Sequence, residues 1–247
     1  MRFASEQMSR LLSTAAFLWA VSSSAFCEVD EAPSSVIPRN GQLVLFGDSI
    51  TAYGDRPDGW VQILRGKCAD ELGRPDIRIV NAGQGGDVVQ DLHRRFFWRT
   101  WRRPDVVVLC IGINDARRAA SLGYSELDLQ EYREGLESLI AKLQATGALV
   151  VVASPIVSGE QMRGRNALDS IVDGYARTAE EVAKRKKAPF LDLRSIFFER
   201  LSSVNLADKN LGVLTYDGLH LNEAGNALMA EAVLDELQTL PAAKPNP

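Results

Sequence analysis

The chain has 247 residues, 46% hydrophobic and 24% charged, which is the composition of one well-filled globular domain. A formal net charge of −4 leaves no basic footprint for nucleic acid. Three cysteines make no disulfide framework, and with His93 and His220 as the only histidines no zinc-ligand spacing forms, so no metal is expected.

Arg2 and Arg10 precede an apolar run from Leu11 to Val21, and Ser22-Ser23-Ser24-Ala25 follows. This is the layout of a secretory signal peptide over residues 1–25, with cleavage after Ala25 and export to the periplasm or medium. The run is too short to span a bilayer, so no stable membrane insertion is expected after cleavage. Phe26 stands before Cys27, where lipoprotein signals place a small residue, so lipid attachment is not expected either. Residues 26–39 read as a linker, 40–240 as a single domain and 241–247 as a tail. Within the domain, apolar runs at Leu43–Phe46, Ile77–Val80, Val106–Ile111 and Leu149–Val152, and a weaker one at Phe190–Leu193, predict about five buried strands of a parallel sheet. Helical spacing separates them. One stripe runs through Trp60, Ile63, Leu64, Cys68 and Leu72; a second, after a capping signal at Ser125 and Asp128, through Tyr132, Leu136, Leu139, Ile140 and Leu143. A third runs from Leu168 to Ala183, and the last starts at an Asn222 cap and turns Ala224, Leu228, Ala232 and Val233 inward. Alternating strands and helices predict a doubly wound α/β sandwich.

Ligands of such sheets bind outside the carboxyl ends of the strands. The segments there are Gly47-Asp48-Ser49, Asn81-Ala82-Gly83, Gly112-Ile113-Asn114-Asp115 and Ser154-Pro155. A serine hydroxyl becomes a nucleophile when a base takes its proton, and histidine titrates in the right range. His220, in Asp217-Gly218-Leu219-His220, has a carboxylate three residues upstream to fix its tautomer; His93 lies among Arg94, Arg95 and Arg99. Ser49 and His220 are therefore the candidate nucleophile and base, with Asp217 as the orienting acid. Ser49 N–H, Gly83 N–H and the Asn114 side-chain amide are the candidate oxyanion donors.

Together these four blocks resemble the SGNH (GDSL) hydrolases, serine esterases and lipases. The resemblance covers nearly all of the chain after the linker, and Ile50 where the family name has leucine is an apolar exchange. It implies a three-layer α/β/α sandwich with a flavodoxin-like sheet and assigns Ser49, Gly83, Asn114, Asp217 and His220 the roles above. It implies no cofactor. The activity implied is two-step hydrolysis of a small-molecule carboxylic ester, preferably a small acyl (acetyl) ester, with carbohydrate acetates among the candidates. Lysophospholipase, lipase-like or thioesterase activity is the alternative within the class, and a non-catalytic carbohydrate- or surface-binding protein the alternative outside it. Taken singly, Gly-Asp-Ser also reads as a turn, Asn114 as a helix cap and Asp217 as a solvated loop acid. The basic and aromatic run from His93 to Arg103 reads as a solvated helix with a buried aromatic edge, against docking of a membrane, polyanion or acyl chain. Ser158 to Arg165 reads as a loop over the pocket.

Overall fold

The computed structural model describes residues 35–100 and 103–242, and the side chains of these except 97–100. The expected signal peptide, Cys27, most of the linker, most of the tail and part of the basic run lie outside the described residues.

Among the described residues, five parallel strands form one sheet in the order β2-β1-β3-β4-β5. They are β1 (Gln42–Gly47), β2 (Arg78–Gly83), β3 (Val106–Cys110), β4 (Leu149–Ala153) and β5 (Phe190–Leu191). β3 is buried along its whole length, as an apolar run covered on both faces must be. Among the described residues, eight α-helices connect and cover the sheet: α1 (Ser49–Ala52), α2 (Trp60–Asp70), α3 (Val89–Thr100), α4 (Ile113–Leu122), α5 (Glu126–Gln144), α6 (Asp169–Lys186), α7 (Leu193–Val204) and α8 (Glu223–Thr239). The architecture is the α/β fold expected from the sequence, with the flavodoxin-like strand order.

Local signals act where the residues predict. Asp128 accepts both the N–H and the hydroxyl of Ser125 at 2.8 Å, capping α5. Asn222 accepts Gly225 N–H at 3.1 Å, capping α8. The α5 stripe, Tyr132, Leu136, Leu139, Ile140 and Leu143, is wholly buried. Three details differ. β2 continues through Gly83, so Asn81-Ala82-Gly83 ends the strand and does not follow it. β5 stops at Leu191 because Asp192 N-caps α7, accepting Ser195 N–H at 3.0 Å, and Leu193 packs as a helical residue. On α8 the exposed Ala224 faces away from the core, and Gly225 takes the inward position against Leu214 O, where a Cβ would come within 2.0 Å. Among the described residues, no helix is long and apolar enough to cross a membrane.

Candidate active site

Strand order reverses between β1 and β3, which opens a crevice above their carboxyl ends. β1 delivers Asp48 and Ser49 into it. Asp48 accepts Ile50 N–H at 2.9 Å, N-capping α1 and starting the helix at Ser49. Ser49 is 6% exposed, and no acceptor among the described residues claims its N–H.

Burial pushes the Asp48 carboxyl up to about 7; the Ile50 N–H opposes this, and the charges of Asp115 and Asp87 add to it. A carboxyl that holds its proton in the folded state while the unfolded chain ionises near 3.8 loses stability as pH rises from that value towards 7. Asp48→Asn keeps a good N-cap and removes the titration. Thermal melts should therefore show a smaller loss of Tm between pH 4.5 and about 7 for this variant than for the natural chain. Equal slopes would show that Asp48 is ionised in the fold.

The loop before α8 brings His220 to Ser49. His220 Nδ1–H donates to Asp217 Oδ2 at 2.6 Å, and Asp217 Oδ1 accepts the N–H groups of His220 at 2.7 Å and Leu219 at 3.0 Å. Partial desolvation raises the Asp217 pKa, but these donors outweigh it and hold the carboxyl below its ordinary value. With Nδ1 protonated, Nε2 is an acceptor, and the Ser49 hydroxyl donates to it at 3.1 Å. Two tyrosine rings neighbour the imidazole, with centroid distances of 5.0 Å to Tyr53 and 5.9 Å to Tyr216. His93 is elsewhere, its Nε2–H donating to Gly135 O at 2.8 Å and its Nδ1 accepting from Lys142 Nζ at 3.1 Å.

Asn114, the second residue of α4, donates one amide hydrogen to Asp87 O at 3.0 Å, which fixes the amide and leaves the other hydrogen uncommitted. Gly83 is placed differently from the sequence-based expectation. Its N–H donates to Asn81 Oδ1 at 2.9 Å, and a Cβ here would stand 2.2 Å from Ala52 N. This glycine lets β2 approach α1. The following turn, not singled out as a donor in the sequence, runs beside the serine: a Cβ on Gly85 would lie 3.9 Å from Ser49 Cβ, and Gly86 has φ of 83°. No acceptor among the described residues takes the N–H of Gly85 or Gly86.

Beneath this edge lies Arg95, from the basic run. Its guanidinium donates to Gly47 O at 2.7 Å, to Ala82 O at 2.5 Å and to Asp87 Oδ2 at 2.5 Å. One side chain thus ties the ends of β1 and β2 to the residue whose carbonyl holds Asn114. Helical spacing carries the signal, because Arg95 lies three residues beyond the fully buried Leu92. The run is therefore not a uniformly solvated face. Beside His220 is a cleft of about 290 Å³ whose wall includes Tyr53, Arg56, Asp58, Tyr216, Asn222 and Glu223. The Arg56 guanidinium lies 3.5 Å over the Tyr53 ring and donates to the Tyr216 hydroxyl at 3.3 Å. Among the described residues, no group of His, Cys, Asp and Glu side chains is placed to hold a metal ion.

Fold and site together define an α/β sandwich enzyme of the hydrolase class. More particularly, the chain belongs to the GDSL-like lipase/acylhydrolase family, which matches residues 45–228, and so acts on ester bonds. An acetylxylan esterase of Geobacillus stearothermophilus is 31% identical, over 80% of this chain and 94% of that protein. The isoamyl acetate-hydrolyzing esterase 1 homolog of Bos taurus is 26% identical, over 82% of each chain. The crystal structure of an acetyl xylan esterase, AlAXEase, matches with a TM-score of 0.74 at 30% identity, covering 78% of this chain and 98% of that one.

Proposed function

We propose that this esterase hydrolyses small acyl esters, chiefly acetates on hydroxyl-rich alcohols such as sugars, through an acyl-enzyme on Ser49. The observation that carries the reading is the unbroken hydrogen-bonded chain from Asp217 through His220 to Ser49 at the crevice. Ser49 Oγ attacks the ester carbonyl as His220 Nε2 takes its proton. The oxyanion is received by Ser49 N–H, the free Asn114 amide hydrogen and a backbone N–H of the segment from Gly83 to Gly86. Within that segment the uncommitted N–H groups of Gly85 and Gly86 are better donors than that of Gly83, which Asn81 holds. His220 then returns its proton to the departing alcohol as the acyl–oxygen bond breaks. Water, deprotonated by the same nitrogen, releases the acid. Asp217 keeps the imidazole in one tautomer and offsets its charge.

The acyl preference is supported by relatives named for acetylxylan and for isoamyl acetate, both acetate esters. The alcohol preference is supported by the cleft, where the exposed Tyr216 ring offers a flat face and Arg56, Asp58, Asn222 and Glu223 offer hydrogen bonds. A lysophospholipid or long acyl chain would need an aliphatic groove instead. The N-terminal pattern of Arg10, an apolar run and Ser22 to Ala25 supports export, as suits an enzyme of extracellular glycans.

The test is kinetic. The purified chain should be labelled covalently by a fluorophosphonate probe, which separates an enzyme from a binding module. It should also cleave 4-nitrophenyl acetate with kcat/KM at least about tenfold above that for the octanoate, because the polar cleft leaves most of the longer chain's methylenes in water. Faster turnover of the octanoate would return the lipase-like alternative.

A further inference from the structure

Glu160, in the loop after β4, is a carboxylate with 0% exposure, and none of the ion pairs among the described residues involves it. Burying such a charge is costly unless donors satisfy it, and here they come from one place. Glu160 Oε1 accepts Leu214 N–H at 2.7 Å, Thr215 N–H at 2.5 Å and the Thr215 hydroxyl at 2.8 Å; Oε2 accepts Val213 N–H at 2.7 Å. The Thr215 oxygen in turn accepts Gly218 N–H at 3.0 Å. Beyond this grip the chain turns back on itself, with Tyr216 N–H donating to His220 O at 3.0 Å and Asn222 N–H to Leu214 O at 3.0 Å. Asp217 and His220 sit at the tip of that turn. The neighbouring Gly159 N–H donates to Gly218 O at 2.7 Å, so the two loops are joined at a second point.

We propose that Glu160 is a positioning residue for catalysis: an anionic clamp that gathers Val213 to Thr215 and, through Thr215 Oγ1, sets the backbone that aims His220 at Ser49. The clamp rests on the reading of His220 as the general base. It touches no reacting atom. Its effect runs through the 3.1 Å contact between His220 Nε2 and Ser49 Oγ, a geometry that small backbone shifts would lengthen. A carboxylate is suited to the task because each oxygen accepts and neither donates. In Glu160→Gln one oxygen becomes an NH2 group facing N–H donors, so the isostere fits the space and opens the grip.

Glu160→Gln is expected to lower kcat about ten- to hundredfold with KM within about twofold, and to slow fluorophosphonate labelling of Ser49 in the same proportion. Thr215→Val, which removes the link to Gly218, should lower both by about three- to tenfold, while Thr215→Ser, which keeps the hydroxyl, should stay within about twofold of the natural chain. If Glu160→Gln does not fold, the valine–serine pair decides the matter. A folded Glu160→Gln with natural kcat and labelling rate overturns the clamp whatever its Tm, and so does a Thr215→Val variant indistinguishable from Thr215→Ser. A Ser49→Ala variant that kept full activity would instead remove the underlying reading, so the two failures are distinguishable.

Discussion

Ser49→Ala is expected to lower kcat on an aryl acetate by about four to six orders of magnitude and to abolish fluorophosphonate labelling. The acyl-enzyme requires an oxygen at this position, and alanine leaves only the slower direct attack of water on an ester still held by the oxyanion donors. The fold should not notice. The serine hydroxyl makes one hydrogen bond, to His220 Nε2, and its loss is worth about 1 kcal/mol at most. His220→Ala should lose a similar factor, and the double variant no more than either alone, because nucleophile and base act as one unit. Losses that multiplied in the double variant would mean that serine and histidine serve separate steps. A Ser49→Ala protein with measurable burst kinetics would place the nucleophile elsewhere.

Much of this was legible because the signals are local. The apolar runs of β1, β3 and β4, the Ser125 and Asn222 caps and the α5 stripe each involve residues within a few positions of one another. The placement of the candidate segments was legible because strand ends lie at one edge of a parallel sheet, which brings Ser49 and Asn114 to the ends of the adjacent strands β1 and β3 although 65 positions separate them. Glu160 and Arg95 were not, because each finds its hydrogen-bond partners far away in the chain: Thr215 lies 55 positions from Glu160, and Gly47 lies 48 from Arg95. Nothing in the polarity of Ser158 to Arg165 says that one carboxylate among them is fully buried. The short β5 shows the opposite limit. Phe190 to Leu193 has the composition of a strand, but a single cap at Asp192 converts its second half to helix. At Gly83 the residue type was informative and its use was not, since a missing Cβ serves close packing as readily as it frees an N–H.

Asn114→Ala separates the two roles that its position allows. If the amide receives the oxyanion, kcat should fall by about 10²–10³, equivalent to about 2.7–4 kcal/mol of barrier, with little change in KM, because the donor acts on charge present only in the transition state. The bond from Nδ2 to Asp87 O would also be lost, at a cost of about 1 kcal/mol in stability. A residue that merely braced the turn at Asp87 would show this second effect without the first. Asn114→Asp sharpens the distinction. It keeps the shape of the side chain but replaces the donor with an acceptor that carries negative charge at neutral pH, so it should lose at least as much kcat as alanine. Should both variants keep kcat within about threefold of the natural chain while their Tm values fall, the oxyanion would rest on backbone donors alone. Ser49 N–H and the Gly85–Gly86 turn would then carry the full electrostatic load, a demand that these few amide dipoles meet only if the crevice excludes water when substrate binds.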